Sequence, residues 1–172
     1  MSRRPMMRNE LTPTAVIAMA AVMAALVCMA TMLIQVPIPA TEGFFNVGDA
    51  LIMVAALTGG PIVGAVAGGV GASLADLLGG WYVWVVPTLL IKGVEGFLAG
   101  WILSRSRHRV PHLVLAWAVG GGEMVLGYFL VQVYLYGVAA ALVELPFNLV
   151  QMAVSGIVGI PISHALKRML RL

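Results

Sequence analysis

A few polar side chains in this sequence stand where almost everything around them is apolar. Lys92 and Glu95 are three apart in an apolar run, so on a helix they share a face. Glu123 stands alone in the next run, beside Gly120-Gly121-Gly122, and Gln132 follows in its later part. Glu144 and Asn148 are one helical turn apart at the start of the last run, and Gln151 continues that side. Charges at membrane depth are costly, and they mark either pairing or function. Lys92 and Glu95 can neutralise each other and fix a bundle. Together with Glu123, Gln132, Glu144 and Asn148 they can instead hydrogen-bond a small solute in a cavity with apolar walls.

Other chemistries find little support. Glu123 or Glu95 could act as a base, but no paired catalytic motif accompanies either, and Ser-His-Asp chemistry has no support, so the chain is not read as an enzyme. There is no Walker phosphate loop. His108 and His112 flank a basic loop and a proline and read as surface residues, and no metal-ligand spacing is present. Cys28 is the only cysteine, which rules out a disulfide within the chain and a multi-cysteine metal site. No cofactor is implied.

The elements that would carry these residues are apolar helices. Of 172 residues, 61% are hydrophobic and 10% charged, and the mean hydropathy is +1.01. A soluble domain carries about 25% charged residues, so lipid must cover much of this exterior. Backbone groups in lipid pair internally, which leaves helices or a closed barrel. Long continuous apolar runs exclude the barrel's alternating segments. The N-terminal arginines Arg3, Arg4 and Arg8 precede an apolar run too long for a signal peptide, which reads as a retained first helix.

The net charge of +3 does not point to nucleic acid. Nine of the ten Lys and Arg lie at the N-terminus, in the 105–109 loop and at the C-terminus. Gly59-Gly60-Pro61 interrupts the run from Ala50 to Ala75. If it separates two helices, six spans place all three basic clusters on one side; five spans cannot. The positive-inside rule therefore predicts an all-α bundle of six transmembrane helices with both termini cytoplasmic. The expected helices cover roughly 13–35, 44–58, 61–79, 82–104, 111–137 and 143–167 of a single membrane domain. The second is short for a span, at about 22 Å.

In this topology Lys92, Gln132 and Asn148 lie at similar depth, about 8 Å below the outer surface at a rise of 1.5 Å per residue. Phe44, Phe45, Trp81, Tyr82 and Trp84 fall in the outer loops. They suit an interfacial belt, or a lid that stacks on a flat heterocycle. On the first helix Ala20/Ala24 and Ala21/Ala25 are small-xxx-small pairs that allow close helix approach, within the bundle or to another subunit.

Gly43-Phe-Phe-Asn-Val-Gly-Asp49, the glycine-rich stretch Leu57–Gly80 and Pro87-Thr-Leu-Leu-Ile-Lys-Gly-Val-Glu95 through Gly100 resemble the substrate-binding S components of energy-coupling factor (ECF) transporters, in the riboflavin-type branch. The resemblance runs from about residue 12 to the C-terminus. It implies six helices and a pocket near the outer face, closed by the loop after helix one and lined by helices four to six. It also implies docking of the helix-one alanines (Ala20, Ala21, Ala24, Ala25) onto a transmembrane T component driven by two ABC-type ATPases, in a bacterial or archaeal plasma membrane. Asn46 and Asp49 match the family's loop motif, and Lys92 and Glu95 its helix-four motif. The expected binding residues are Asn46, Trp84, Lys92, Glu95, Glu123, Gln132, Glu144 and Asn148. Three glutamates against one lysine disfavour polyanions. A neutral or cationic aromatic vitamin or precursor fits better: pyridoxine-type, hydroxymethylpyrimidine/thiamine-type, or riboflavin. The competing reading is a membrane assembly or scaffold protein whose alanine and glycine faces are the function.

Overall fold

The computed structural model describes residues 12–106 and 110–170. The N-terminal arginines, Arg107, His108, Arg109 and Arg171 lie outside the described residues. Helices dominate: α1 (Pro13–Leu33), α2 (Asp49–Gly79), α3 (Val85–Ser104), α4 (Val110–Tyr136) and α5 (Val138–Leu170). All five are long and apolar enough to cross a membrane. Leucines, valines and isoleucines crowd the exterior, as lipid contact requires.

Local chemistry sets the helix ends. Thr12 caps α1 by accepting the Ala15 N–H at 3.3 Å, and Pro13 follows where a missing N–H costs nothing. Gly80, at φ 83°, closes α2 in the left-handed region, and the Gly80 and Trp81 N–H groups both donate to the Asp76 carbonyl. Gly137, at φ 86°, is the whole connection between α4 and α5. The loop expected around 138–142 is already helix.

α2 is a hairpin of two helical arms. Gly60 has φ 85° and ψ −170°, a conformation open essentially to glycine alone, and Pro61 has no N–H to continue the ladder. The chain reverses there. A methyl group on Gly64 would stand 2.8 Å from the Ala56 Cβ, and one on Gly68 3.1 Å from the Ile52 Cγ2. Residues sixteen apart on one straight helix would be separated by about 24 Å, so 49–59 and 61–79 run antiparallel. The second arm also lies directly on α3: Gly64 meets the Gly96 backbone and Gly68 the Lys92 carbonyl, with no room for side chains between them.

The segment between α1 and α2 was read as an irregular loop, with the next helix starting near 44. It contains a small antiparallel sheet instead. β1 (Val36–Ile38) pairs with β2 (Gly43–Phe45) in the register Val36 to Phe45 and Ile38 to Gly43. α2 begins only at Asp49. Two strands of three residues are not stable alone, so this lid depends on what anchors it.

Candidate functional site

Four attachments hold the lid on the bundle. Thr41 donates its hydroxyl to the Glu144 carboxylate on α5. The Asn46 N–H donates to Gln151 Oε1, also on α5, at 3.0 Å. Trp84, at the start of α3, donates its indole N–H to the Glu42 carbonyl at 2.9 Å and to the Thr41 carbonyl at 3.3 Å. Phe44 packs on Trp81 with ring centroids 4.9 Å apart. Trp84 is 3% exposed and lies against Tyr128 and Tyr136, so it is a wall of the site rather than a member of an interfacial belt.

Under the lid is a cavity with a free volume of ≈ 30 Å³, room for one or two waters. Thr31 of α1, Asp76 of α2, Thr88 of α3, Tyr128 of α4 and Asn148 of α5 all line it. Several of the lining atoms have no partner: Thr31 Oγ1, Asp76 Oδ2 and Asn148 Nδ2. Their residues are 2%, 3% and 5% exposed. Thr88 and Tyr128 satisfy each other at 2.9 Å. On the other side of Gly43 and Trp84, which line both spaces, lies a wider cleft of ≈ 500 Å³ walled by Ile38, Glu42, Trp81 and Tyr82.

A second polar cluster sits close by and is closed on itself except at Glu95, whose buried oxygens accept no hydrogen bond and meet Lys92 only at 3.5 Å. Lys92 Nζ is 2.6 Å from both Asp49 carboxylate oxygens. Gln151 donates to Asp49 Oδ2 at 2.9 Å while accepting from the Asn46 N–H. The Asn46 side chain in turn accepts from the Gly48 N–H at 2.9 Å. Lys92 lies 5.2 Å from the centre of the Tyr128 ring, which is itself part of the cavity lining.

The eight expected residues therefore divide. Asn46, Trp84, Glu144 and Asn148 line the cavity. Lys92 and Glu95 do not: both are fully buried, and the main partner of Lys92 is Asp49, with Glu95 at 3.5 Å. Spacing alone had paired Lys92 with its own helix; the tertiary fold supplies a closer carboxylate. Glu123 and Gln132 also lie off the cavity lining, and both Gln132 amide atoms are unpartnered. Sequence reasoning missed Asp76, which falls inside the expected helix 61–79 and is not among the expected binding residues. Its signal was present: a single acid near the end of an arm otherwise free of charge after Asp49.

The alanines of α1 divide as well. Ala20 and Ala24 are 5% and 8% exposed, and Ala24 packs against Gly71 of α2. They pack inside the bundle rather than on its exposed surface. Ala21 and Ala25 lie on the exposed side of α1, beside Ala18.

Residues 12–168 match a family model described as the ECF-type riboflavin transporter, S component. The chain belongs to that family. It is 46% identical, over 77% of its own length and 87% of the relative's, to an uncharacterized protein in the gap 3' region of Pyrococcus woesei. It is 32% identical to the thiamine precursor transporter HmpT of Lactococcus lactis subsp. cremoris, over 77% of this chain and 75% of that protein. This S component is thus a multi-pass membrane protein and the substrate-binding subunit of a vitamin transporter. The family is one of transporter subunits rather than enzymes.

Proposed function

We propose that the cavity under the lid captures a neutral or cationic aromatic vitamin or precursor: pyridoxine-type, hydroxymethylpyrimidine/thiamine-type, or riboflavin. The observation that carries this reading is that three buried, unpartnered polar atoms, Thr31 Oγ1, Asp76 Oδ2 and Asn148 Nδ2, belong to residues lining one cavity. An unpartnered buried polar group costs about 1–3 kcal/mol, and a ligand that meets several of them recovers that cost. Asn46, Trp84, Glu144 and Asn148 act at the site, with Asp76, Thr88 and Tyr128 completing it. Lys92 and Glu95 hold the scaffold beneath. The thiamine-precursor relative supports the second ligand class.

The ligand enters through the wide cleft and reaches the cavity when Thr41 and Asn46 release α5 and the lid lifts. In the membrane the chain makes six spans, the two arms of α2 each counting as one. Both termini are cytoplasmic and the lid faces outward. The reversal at Gly60 and the three basic clusters support this topology. The exposed Ala21/Ala25 face of α1 docks on the transmembrane T component, which two ABC-type ATPases drive.

Native mass spectrometry of the detergent-purified chain, followed by denaturation and identification of any released molecule, tests the capture reading. A heterocycle released at about one per chain is the expected result. An empty protein that gains no thermal stability from a vitamin panel would favour an assembly role instead.

A further inference from the structure

We propose that Asp76 selects the ligand: it accepts a hydrogen bond from an exocyclic amino group of a single-ring nitrogen heterocycle, while Asn148 donates to an acceptor on the same molecule. This rests on the capture reading and adds the donor and acceptor pattern that the ligand must carry.

The pattern follows from what is open at the site. Asp76 Oδ2 is buried and unpartnered on α2, and Asn148 Nδ2 is buried and unpartnered on α5, with the cavity between those elements. Glu144, one turn from Asn148, already gives one carboxylate oxygen to Thr41. Among the described residues lining the cavity none is Lys, Arg or His. The nearby cation, Lys92, is held by Asp49 on both carboxylate oxygens. The cavity is therefore rich in acceptors and carries negative charge that nothing in its own lining balances. A group with hydrogen to donate, or a positive charge, is favoured at Asp76; a carbonyl, phosphate or carboxylate there is repelled.

That distinction separates the ligand classes. An aminopyrimidine places an exocyclic amino group beside a ring nitrogen, so one edge offers a donor and an acceptor, and protonation of the ring nitrogen makes it a second donor. The isoalloxazine of riboflavin offers one N–H between two carbonyls, and docking it on Asp76 would bring two carbonyl oxygens towards a carboxylate. A pyridoxine-type ring offers hydroxyl donors but no amino group. The small free volume also favours one ring over three, because the lid then moves least.

Isothermal titration of the full chain in detergent with three probes tests the assignment: a hydroxymethyl aminopyrimidine, its oxo analogue in which a carbonyl replaces the amino group, and riboflavin. The wild-type chain is expected to prefer the amino compound to the oxo compound by about 100-fold, the range for a charge-assisted hydrogen bond in a buried site. Asp76→Asn, which keeps the shape and can present an amide donor, is expected to reduce that preference to below about 10-fold. Thermal unfolding of the ligand-free variant checks that it folds. Should it not, Asn148→Asp replaces the donor by an acceptor in the same shape and is expected to weaken the amino compound by a similar factor. Tight binding of riboflavin, equal binding of the amino and oxo compounds, or a preference unchanged in the variant would overturn the role of Asp76 while leaving capture intact. If no probe binds and the purified chain carries no small molecule, the capture reading fails as well.

Discussion

Two polar clusters lie side by side in the bundle, and they differ in how completely their atoms are paired. Around Lys92, Asp49 uses both oxygens and Gln151 uses both ends of its amide. The Glu95 carboxylate is the exception there: its oxygens accept no hydrogen bond and meet Lys92 at 3.5 Å. Around Asp76, the open atoms belong to residues on three different helices. Burial is the same in both; only the partners differ. A closed network in an apolar surround fixes elements in place. An open one has a cost that something else must offset. The first cluster joins α2, α3, α5 and the end of the lid, and the second is the space that this joint keeps in shape.

The sharpest way to break the comparison is to damage the closed cluster. Lys92→Met leaves Asp49 and Glu95 buried without their cation, and removing one partner from a buried pair costs about 3–5 kcal/mol. Thermal unfolding in detergent should show the largest loss of any variant considered, with or without ligand. A loss no greater than that of a cavity variant would mean that the network does not hold the bundle.

Next come two adjacent residues of α1, one buried and one exposed. Ala24→Trp overpacks the contact with Gly71 and should cost about 1–3 kcal/mol of stability. Ala25→Trp points outward and should leave both unfolding and ligand affinity unchanged. In vesicles containing the whole transporter, however, it should abolish uptake. Normal uptake by Ala25→Trp would move the docking face elsewhere.

Asn148→Ala sharpens the contrast from the open side. Its amide nitrogen bonds to nothing, so the empty protein should unfold at the wild-type temperature, while ligand affinity falls by about 10-fold or more. A lowered melting temperature with unchanged affinity would assign Asn148 to the scaffold. The smallest effect is expected from Gly43→Ala. Its new methyl group would lie 3.2 Å from the Glu144 carboxylate, which can swing aside. The change in affinity should be about 1 kcal/mol or less, read by titration.

Much of the framework was legible because it depends on local chemistry. Gly59-Gly60-Pro61 marked an interruption that the basic clusters resolved as a break between two helices, and long uncharged runs announced helices. The lid was less legible: strands of three residues carry too little pattern to be told from a loop, and this pair is held by Thr41, Asn46 and Trp84 through contacts far along the chain. The site was half legible for a similar reason. Depth along a helix can be counted, so Lys92, Gln132 and Asn148 were set at one level, but rotation about the bundle cannot, and of the three only Asn148 lines the cavity. Asp49 and Lys92 are 43 residues apart, and no spacing rule joins them.

The reversal at Gly60 also bears on how the chain is built into the membrane. The arm 49–59 is about 16 Å long, half the thickness of the hydrocarbon layer. It cannot be threaded across as a separate step during synthesis. It must wait at the insertion machinery until 61–79 emerges, and the two arms then partition into lipid as one unit with Gly60 at the tip. In the six-span reading the open ends face outward, so Asp49 and Asp76 have to be carried through together with the pair. The second and third crossings therefore enter as a pair in that reading, and in a chain stalled with 49–59 but not 61–79 outside the ribosome, a cysteine introduced by Ala55→Cys should remain accessible to water-soluble thiol reagents.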